Sequence, residues 1–220
     1  MTILLTDAWC WLCISMAIFL LTAFIMGRQS KYFYTMDVVP RQFSITDLQL
    51  PSCQKELVNL IKGIYTMPAA NRQQTLRALR GQLWVDFLFM PAAYGSIFLV
   101  CIKVASKMNP AGTLLFNILA WLQLLCWLCD IIENIYLLQK IGPNVSESTK
   151  TVHRTYQFLE IIKWGFSLLA IVCGLSALLF FWVTGNFAIS SLHYLLIIVG
   201  EIVIFMALQK LPAREPSPAT

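Results

Sequence analysis

Long apolar stretches alternate with shorter polar ones along the chain. A hydrocarbon core about 30 Å thick takes roughly 20 apolar residues in helix, and the chain offers that length repeatedly. Residues 8–27 hold no charged side chain and predict a first span. Residues 83–105 predict a second, with Asp86 near its start, and residues 111–139 a third, which contains Asp130 and Glu133. Between 164 and 200 there is no charge at all, a run too long for one span and short for two. Thr184-Gly185-Asn186 in its middle is a turn signal. A helical hairpin is therefore expected, with spans over residues 160–183 and 187–208. The predicted fold is an all-α integral membrane bundle of five transmembrane helices, forming one domain over residues 1–210. Four spans is the alternative, should the first be removed or one fail to insert. The first span reads as a retained anchor. It is longer than a typical signal-peptide core, with no Lys or Arg before it and no A-x-A site after it.

Composition agrees. Of the 220 residues 58% are hydrophobic and 12% charged, against about a quarter charged in soluble domains. So few charges cannot cover a soluble surface, which excludes a soluble enzyme, and disorder, collagen and coiled coil fail with it. The charges are also sorted. Residues 28–81 hold Arg28, Lys31, Arg41, Lys55, Lys62, Arg72, Arg77 and Arg80. The next connection holds Lys103 and Lys107. The one after, with its flanks, holds Lys140, Lys150, Arg154 and Lys163, and the tail holds Lys210 and Arg214. Alternating sides puts fourteen bases on one face and two on the other. The positive-inside rule then places the N-terminus outside and the C-terminus in the cytoplasm. This asymmetry accounts for the net charge of +5 without nucleic acid.

The connection 28–81 is expected to be helical and cytoplasmic. Ser52 is a candidate cap for a short helix in which Leu57, Leu60, Ile61 and Ile64 share one face. That face suits either the inner leaflet or the protein's own helix ends. After Pro68 and Asn71 a long helix should run into the second span, kinked near Pro91. Arg72, Arg77 and Arg80 would then meet lipid headgroups. The Pro-rich tail 211–220 is expected to be disordered.

Acidic residues inside the spans are the informative chemistry. A carboxylate at mid-bilayer costs about 2.5–3.5 kcal/mol, so such groups usually face the bundle interior. At about 1.5 Å per residue, Asp86 lies about 8 Å inside its boundary, Glu133 about 9 Å, Asp130 about 13 Å and Glu201 about 12 Å. Glu160 and Lys163 stand where the fourth span begins. Asp130, Glu133 and Asn134 share a helical face, with Gln123 two turns away. Glu160, Lys163, Ser167 and Gly174 form a second stripe, and Ser190, Tyr194 and Glu201 a third. Five acids thus meet one clear base in an inner-half layer. Carboxylates that crowded do not all ionise in low dielectric, so a protonated carboxyl, a cation or a watered pocket is expected there. The other reading is a packing network that pairs Lys163 with Glu133 and Arg80 with Asp86.

Other signals are weaker. Cys10-x-x-Cys13 and Cys126-x-x-Cys129 have redox spacing but lie at different depths, and small apolar cysteines are common in buried helices. His153 and His193 have no metal-ligand spacing, and no metal or cofactor is expected. No nucleophile-elbow, Walker A or Rossmann pattern is present. The sequon Asn144-Val145-Ser146 falls on the expected cytoplasmic side. Trp9 and Trp11 fit an outer interfacial belt, whereas Trp121 and Trp127 read as deep packing residues.

Phe43-Ser-Ile-Thr-Asp47-Leu-Gln-Leu50, Asp86-Phe-Leu-Phe-Met-Pro-Ala-Ala-Tyr94 and Asp130-Ile-Ile-Glu-Asn-Ile-Tyr-Leu-Leu138, followed by Lys163, resemble a group of small bacterial multi-pass membrane proteins of unassigned function. The resemblance implies an inner-membrane helical bundle with a polar core, and carries no activity. Three function classes stand: a non-enzymatic structural or accessory protein, a proton- or cation-coupled transporter or channel, and a lipid-modifying enzyme at the inner leaflet. In the last, Asp130 or Glu133 would be the base and Arg80 or Lys163 the phosphate ligand. The expected partners are the lipid bilayer and either another membrane protein or a second copy of the chain. The orientation has a direct test: a C-terminal tag should be reached by antibody only after the cytoplasmic face is opened, and a tag accessible from outside intact cells would reverse it.

Overall fold

The computed structural model describes residues 8–211. The tail read as disordered lies outside them apart from its first residue. The first helix, α1, spans Ala8–Gln29 and ends in a 3-10 turn at Ser30–Tyr32. A two-stranded antiparallel hairpin follows, β1 at Tyr34–Met36 and β2 at Pro40–Gln42, with Thr35 opposite Arg41. Helical periodicity gave no hint of these strands, each only three residues long. Helix α2 (Ile45–Gln49) begins in a capping box: Ser44 and Asp47 each bond the other's backbone N–H.

Helix α3 covers Gln54–Thr66. Its N-cap is Cys53 and not Ser52, because the Ser52 N–H donates to Glu56 Oε2 at 2.5 Å, one position outside the cap. Leu57, Leu60, Ile61 and Ile64 are all buried, packed with Phe33, Leu48, Leu79, Leu83 and Leu137. The amphipathic stripe therefore faces the protein's own helix ends and is not offered to a leaflet. Residues 30–67 form a cap over one end of the bundle.

Helix α4 runs unbroken over Ala69–Ala105 with Pro91 inside it, and Pro68 occupies its N-cap. Helix α5 spans Pro110–Lys140. Asn109 accepts from the Gly112 N–H, and Pro110 sits where its missing N–H costs nothing. Helix α6 spans Lys150–Val183 and begins well before residue 160, because Thr149 caps it through the Val152 N–H. The expected turn follows, with Gly185 at φ 74°, a conformation that favours glycine. A 3-10 turn at Ile189–Ser191 then leads into α7, Leu192–Gln209.

Among the described residues, α1, α4, α5, α6 and α7 are the five helices long and apolar enough to cross a membrane. Helix α4 is the axis of the bundle: α1, α5 and α6 all pack on it, α6 also packs on α5, and α7 lies along α1. A Cβ on Gly174 would come within 2.9 Å of Val100 Cγ1, so the missing side chain lets α6 approach α4. Large apolar side chains such as Leu114, Leu125, Ile161, Leu168, Phe180 and Val203 point outward and exposed, the distribution a hydrocarbon surround requires.

Trp11 is exposed and Trp127 packs against Met90, Tyr94 and Cys126, as expected, whereas Trp9 and Trp121 differ. Trp9 is buried, stacked on Trp182 at 5.1 Å and edge-on to Phe187 at 5.4 Å, because α1 starts where the α6–α7 turn passes. Trp121 is 64% exposed and touches Phe98 with its edge. The hairpin meets α3 at Gly63, where a Cβ would collide with Thr35 Oγ1 and the Met36 carbonyl. Gly63→Val should therefore destabilise the protein by about 1–3 kcal/mol, read as a lower midpoint in detergent-solubilised thermal unfolding. An unchanged midpoint would mean that the hairpin does not rest on α3.

Candidate functional site

The spacing of acids on α5 and of Glu160 and Lys163 on α6 builds one cluster. Asp130 and Glu133 are three residues apart and look from α5 toward α6. Glu160 and Lys163, also three apart, look back. An ammonium has three N–H donors, and here each has a carboxylate. Lys163 Nζ donates to Asp130 Oδ1, to Glu133 Oε2 at 2.5 Å and to Glu160 Oε1 at 2.7 Å. Lys163, Glu133 and Glu160 are buried, and the Asp130 side chain is 14% exposed.

A second ring of hydrogen bonds holds the first. Tyr94 on α4 donates to Asp130 Oδ2 at 2.5 Å. Trp164 Nε1 donates to Glu160 Oε2 at 3.1 Å. Asn134 Nδ2 donates to Asp86 Oδ2 at 2.6 Å, tying α5 to α4 a turn further along. Asp130 and Glu160 thus have both oxygens engaged, whereas Glu133 Oε1 is buried without a hydrogen-bond partner among the described residues. The three carboxylates that meet Lys163 have oxygens within 4.8 Å of one another, close enough to ligate a cation. That position is held by Lys163 Nζ, which is itself the cation. With all groups ionised, the cluster carries two more negative charges than positive ones.

Two cavities meet on this cluster. The smaller, about 240 Å³, lies between α5 and the first half of α6 and is lined by Glu133, Glu160, Lys163, Tyr136 and Tyr156. The larger, about 470 Å³, lies between α1, α4, α5 and α6 under α2. Its polar end has Gln82, Asp86, Tyr94, Asp130, Asn134 and Lys163, and the remainder is mostly apolar, with Phe19, Met26, Leu168 and Ile171 among its walls.

The structure therefore gathers Asp86, Asp130, Glu133, Asn134, Glu160 and Lys163. It does not gather Glu201, which lies on α7 beside α1, forms no hydrogen bond to the cluster and has Oε2 buried without a partner among the described residues. Equal depth put Glu201 in the same layer, but depth does not say which neighbour a helix chooses. Of the two expected ion pairs, Lys163 with Glu133 forms and Arg80 with Asp86 does not. Asp86 stands six positions after Arg80, which turns them about 120° apart on the helix. Arg80 donates instead to the Ile141 carbonyl at 3.2 Å, and Arg72 to the Tyr65 carbonyl at 3.4 Å. Arg77 is exposed, and the three arginines line an open groove of about 530 Å³ on the first turns of α4.

Gln82, Tyr94, Tyr156 and Trp164 belong to the site and were not among the residues singled out for it. Gln82 stands one turn before Asp86 on α4, a spacing that could have found it. Tyr94 needed knowledge of which helices are neighbours. All seven cysteines have free thiols, so neither C-x-x-C is a disulfide here. Family models, curated proteins and solved structures give no match to the chain.

Removing the Tyr94 hydroxyl leaves Asp130 Oδ2 without its donor. Hydrogen bonds to charged groups contribute about 1.5–3 kcal/mol. Tyr94→Phe should therefore lower the unfolding midpoint in detergent, whereas Trp121→Phe on the outer surface should leave it nearly unchanged. Equal midpoints for the two variants would remove Tyr94 from the network.

Proposed function

We propose that the protein is a non-enzymatic accessory or binding protein of the bacterial inner membrane, oriented N-out and C-in, in which the Lys163 cluster fastens α5 to α6 and, through Tyr94, to α4. The observation that carries this reading is the saturation of Lys163: all three of its N–H donors are engaged by carboxylates of its own chain. A lysine that binds phosphate, or acts as a nucleophile, needs a free donor or a free lone pair, and this one has neither. The arginines that would serve a lipid-modifying enzyme lie on the first turns of α4 and do not line the cavities at the cluster. The resemblance to small bacterial multi-pass proteins belongs with this reading.

A second reading, a small proton- or cation-coupled transporter, has one observation in its favour. Lys163 lines both cavities, so the cluster is a partition between them.

Core variants separate the two. Removing one partner of a buried ion pair typically costs about 3–5 kcal/mol, whereas replacing the whole group by neutral side chains is often close to neutral. Lys163→Met should thus unfold at a much lower temperature than the parent. A fourfold variant carrying Asp130→Asn, Glu133→Gln, Glu160→Gln and Lys163→Met should regain most of the loss and complement a deletion strain. If that variant is stable but fails to complement, the cluster has a chemical role and the transporter reading replaces this one.

A further inference from the structure

The larger cavity has the shape and polarity of a site for an amphiphile, and its charge selects the head. At about 470 Å³ it falls within the range of small-molecule sites, about 300–1,000 Å³. The apolar part lies between α1 and α6, both of which pack on α4. Its rim on α6 includes Trp164 and Leu168, 60% and 63% exposed on the outer surface of the bundle, so the cavity opens sideways where lipid chains would lie.

The polar end is rich in acceptors. Asp86 gives one oxygen, Oδ2, to Asn134 and keeps the other without a hydrogen bond among the described residues. One turn earlier on α4, Gln82 is 3% exposed and lines the same cavity, yet its Oε1 has no hydrogen-bond partner among the described residues. A buried amide oxygen left unpaired is unfavourable, so the site favours a ligand that donates. Lys163 is the sole base among the described residues lining the cavity, and its donors are all engaged. An anionic head would meet Asp86 and Asp130 with no free cation to offset them.

We infer that this cavity binds a single-chain amphiphile with a cationic amine head, which enters from the bilayer and is held by Asp86 and Gln82. This rests on the preceding reading only in that the saturated Lys163 leaves Asp86 as the available charge. The ammonium would donate to the unengaged Asp86 oxygen and to Gln82 Oε1, and the alkyl chain would lie against Phe19, Met26, Leu168 and Ile171.

The test uses the purified full chain in dodecyl maltoside at neutral pH. Three probes are compared: dodecylammonium, dodecyl phosphate and butylammonium. Thermal shift and native mass spectrometry read binding. Dodecylammonium should raise the midpoint and be retained by the protein. Dodecyl phosphate should do neither, and butylammonium, with the head but not the chain, should bind at least tenfold more weakly. Asp86→Asn should weaken dodecylammonium binding about tenfold or more. Should Asp86→Asn fail to fold, Ala93→Leu, which fills the cavity wall and leaves every acid in place, should also abolish binding. No binding by the parent protein, equal binding of dodecyl phosphate, or binding unchanged by Ala93→Leu would each overturn the inference. Equal binding of butylammonium would show a free amine as the ligand and overturn entry from the bilayer. The outcome is independent of the fourfold core variant, whose readouts are stability and complementation without a ligand.

Discussion

One ammonium held by three carboxylates is the constraint around which the bundle is arranged. In low dielectric an unpaired charge is costly, so each member of the cluster needs the others in place. Asp130 and Glu133 come from α5, Glu160 and Lys163 from α6, and Tyr94 reaches in from α4. These contacts set the rotation of each helix about its own axis, which apolar packing in lipid leaves loosely determined. Where the charges have set the register, small residues allow close approach, as Gly174 does against Val100.

The cap over residues 30–67 solves a different problem. The long polar connection after α1 must bury enough apolar surface to stay ordered. It does so by laying the Leu57–Ile64 stripe of α3 on Leu79, Leu83 and Leu137 at the helix ends. The hairpin supports α3 from the other side, with Thr35 Oγ1 donating to the Leu60 carbonyl at 2.9 Å. Helix α2 then roofs the larger cavity through Ile45, Thr46 and Gln49. The cap and the polar core thus share a boundary, so α2 separates the cavity from the surroundings at that end.

Much of this was legible from residue order. The spans follow from hydrophobic length, the turn at Gly185 from its residue types, and the shared face of Asp130, Glu133 and Asn134 from helical spacing. The Lys163–Glu133 pair was visible because the last turns of α5 and the start of the next span were expected to share one layer, with Lys163 as its one clear base. Neighbour choice was not legible. Glu201 was expected in the layer from its position along the span yet lies with α1, and Trp9 is buried because the α6–α7 turn crosses the start of α1. The three-residue strands carry too few positions for periodicity to register. Ser52 and Cys53 differ by a single step, below what capping preference resolves when Glu56 competes for the Ser52 N–H.

The division of the cluster between α5 and α6 also bears on how the chain is made. Helix α5 leaves the ribosome with two acids in its apolar run, and their counter-ion follows only with α6. At about 2.5–3.5 kcal/mol for a charge at mid-membrane, α5 released alone into lipid would hold an unfavourable state until α6 arrives. The order of synthesis therefore puts two acids of the cluster before the base that neutralises them.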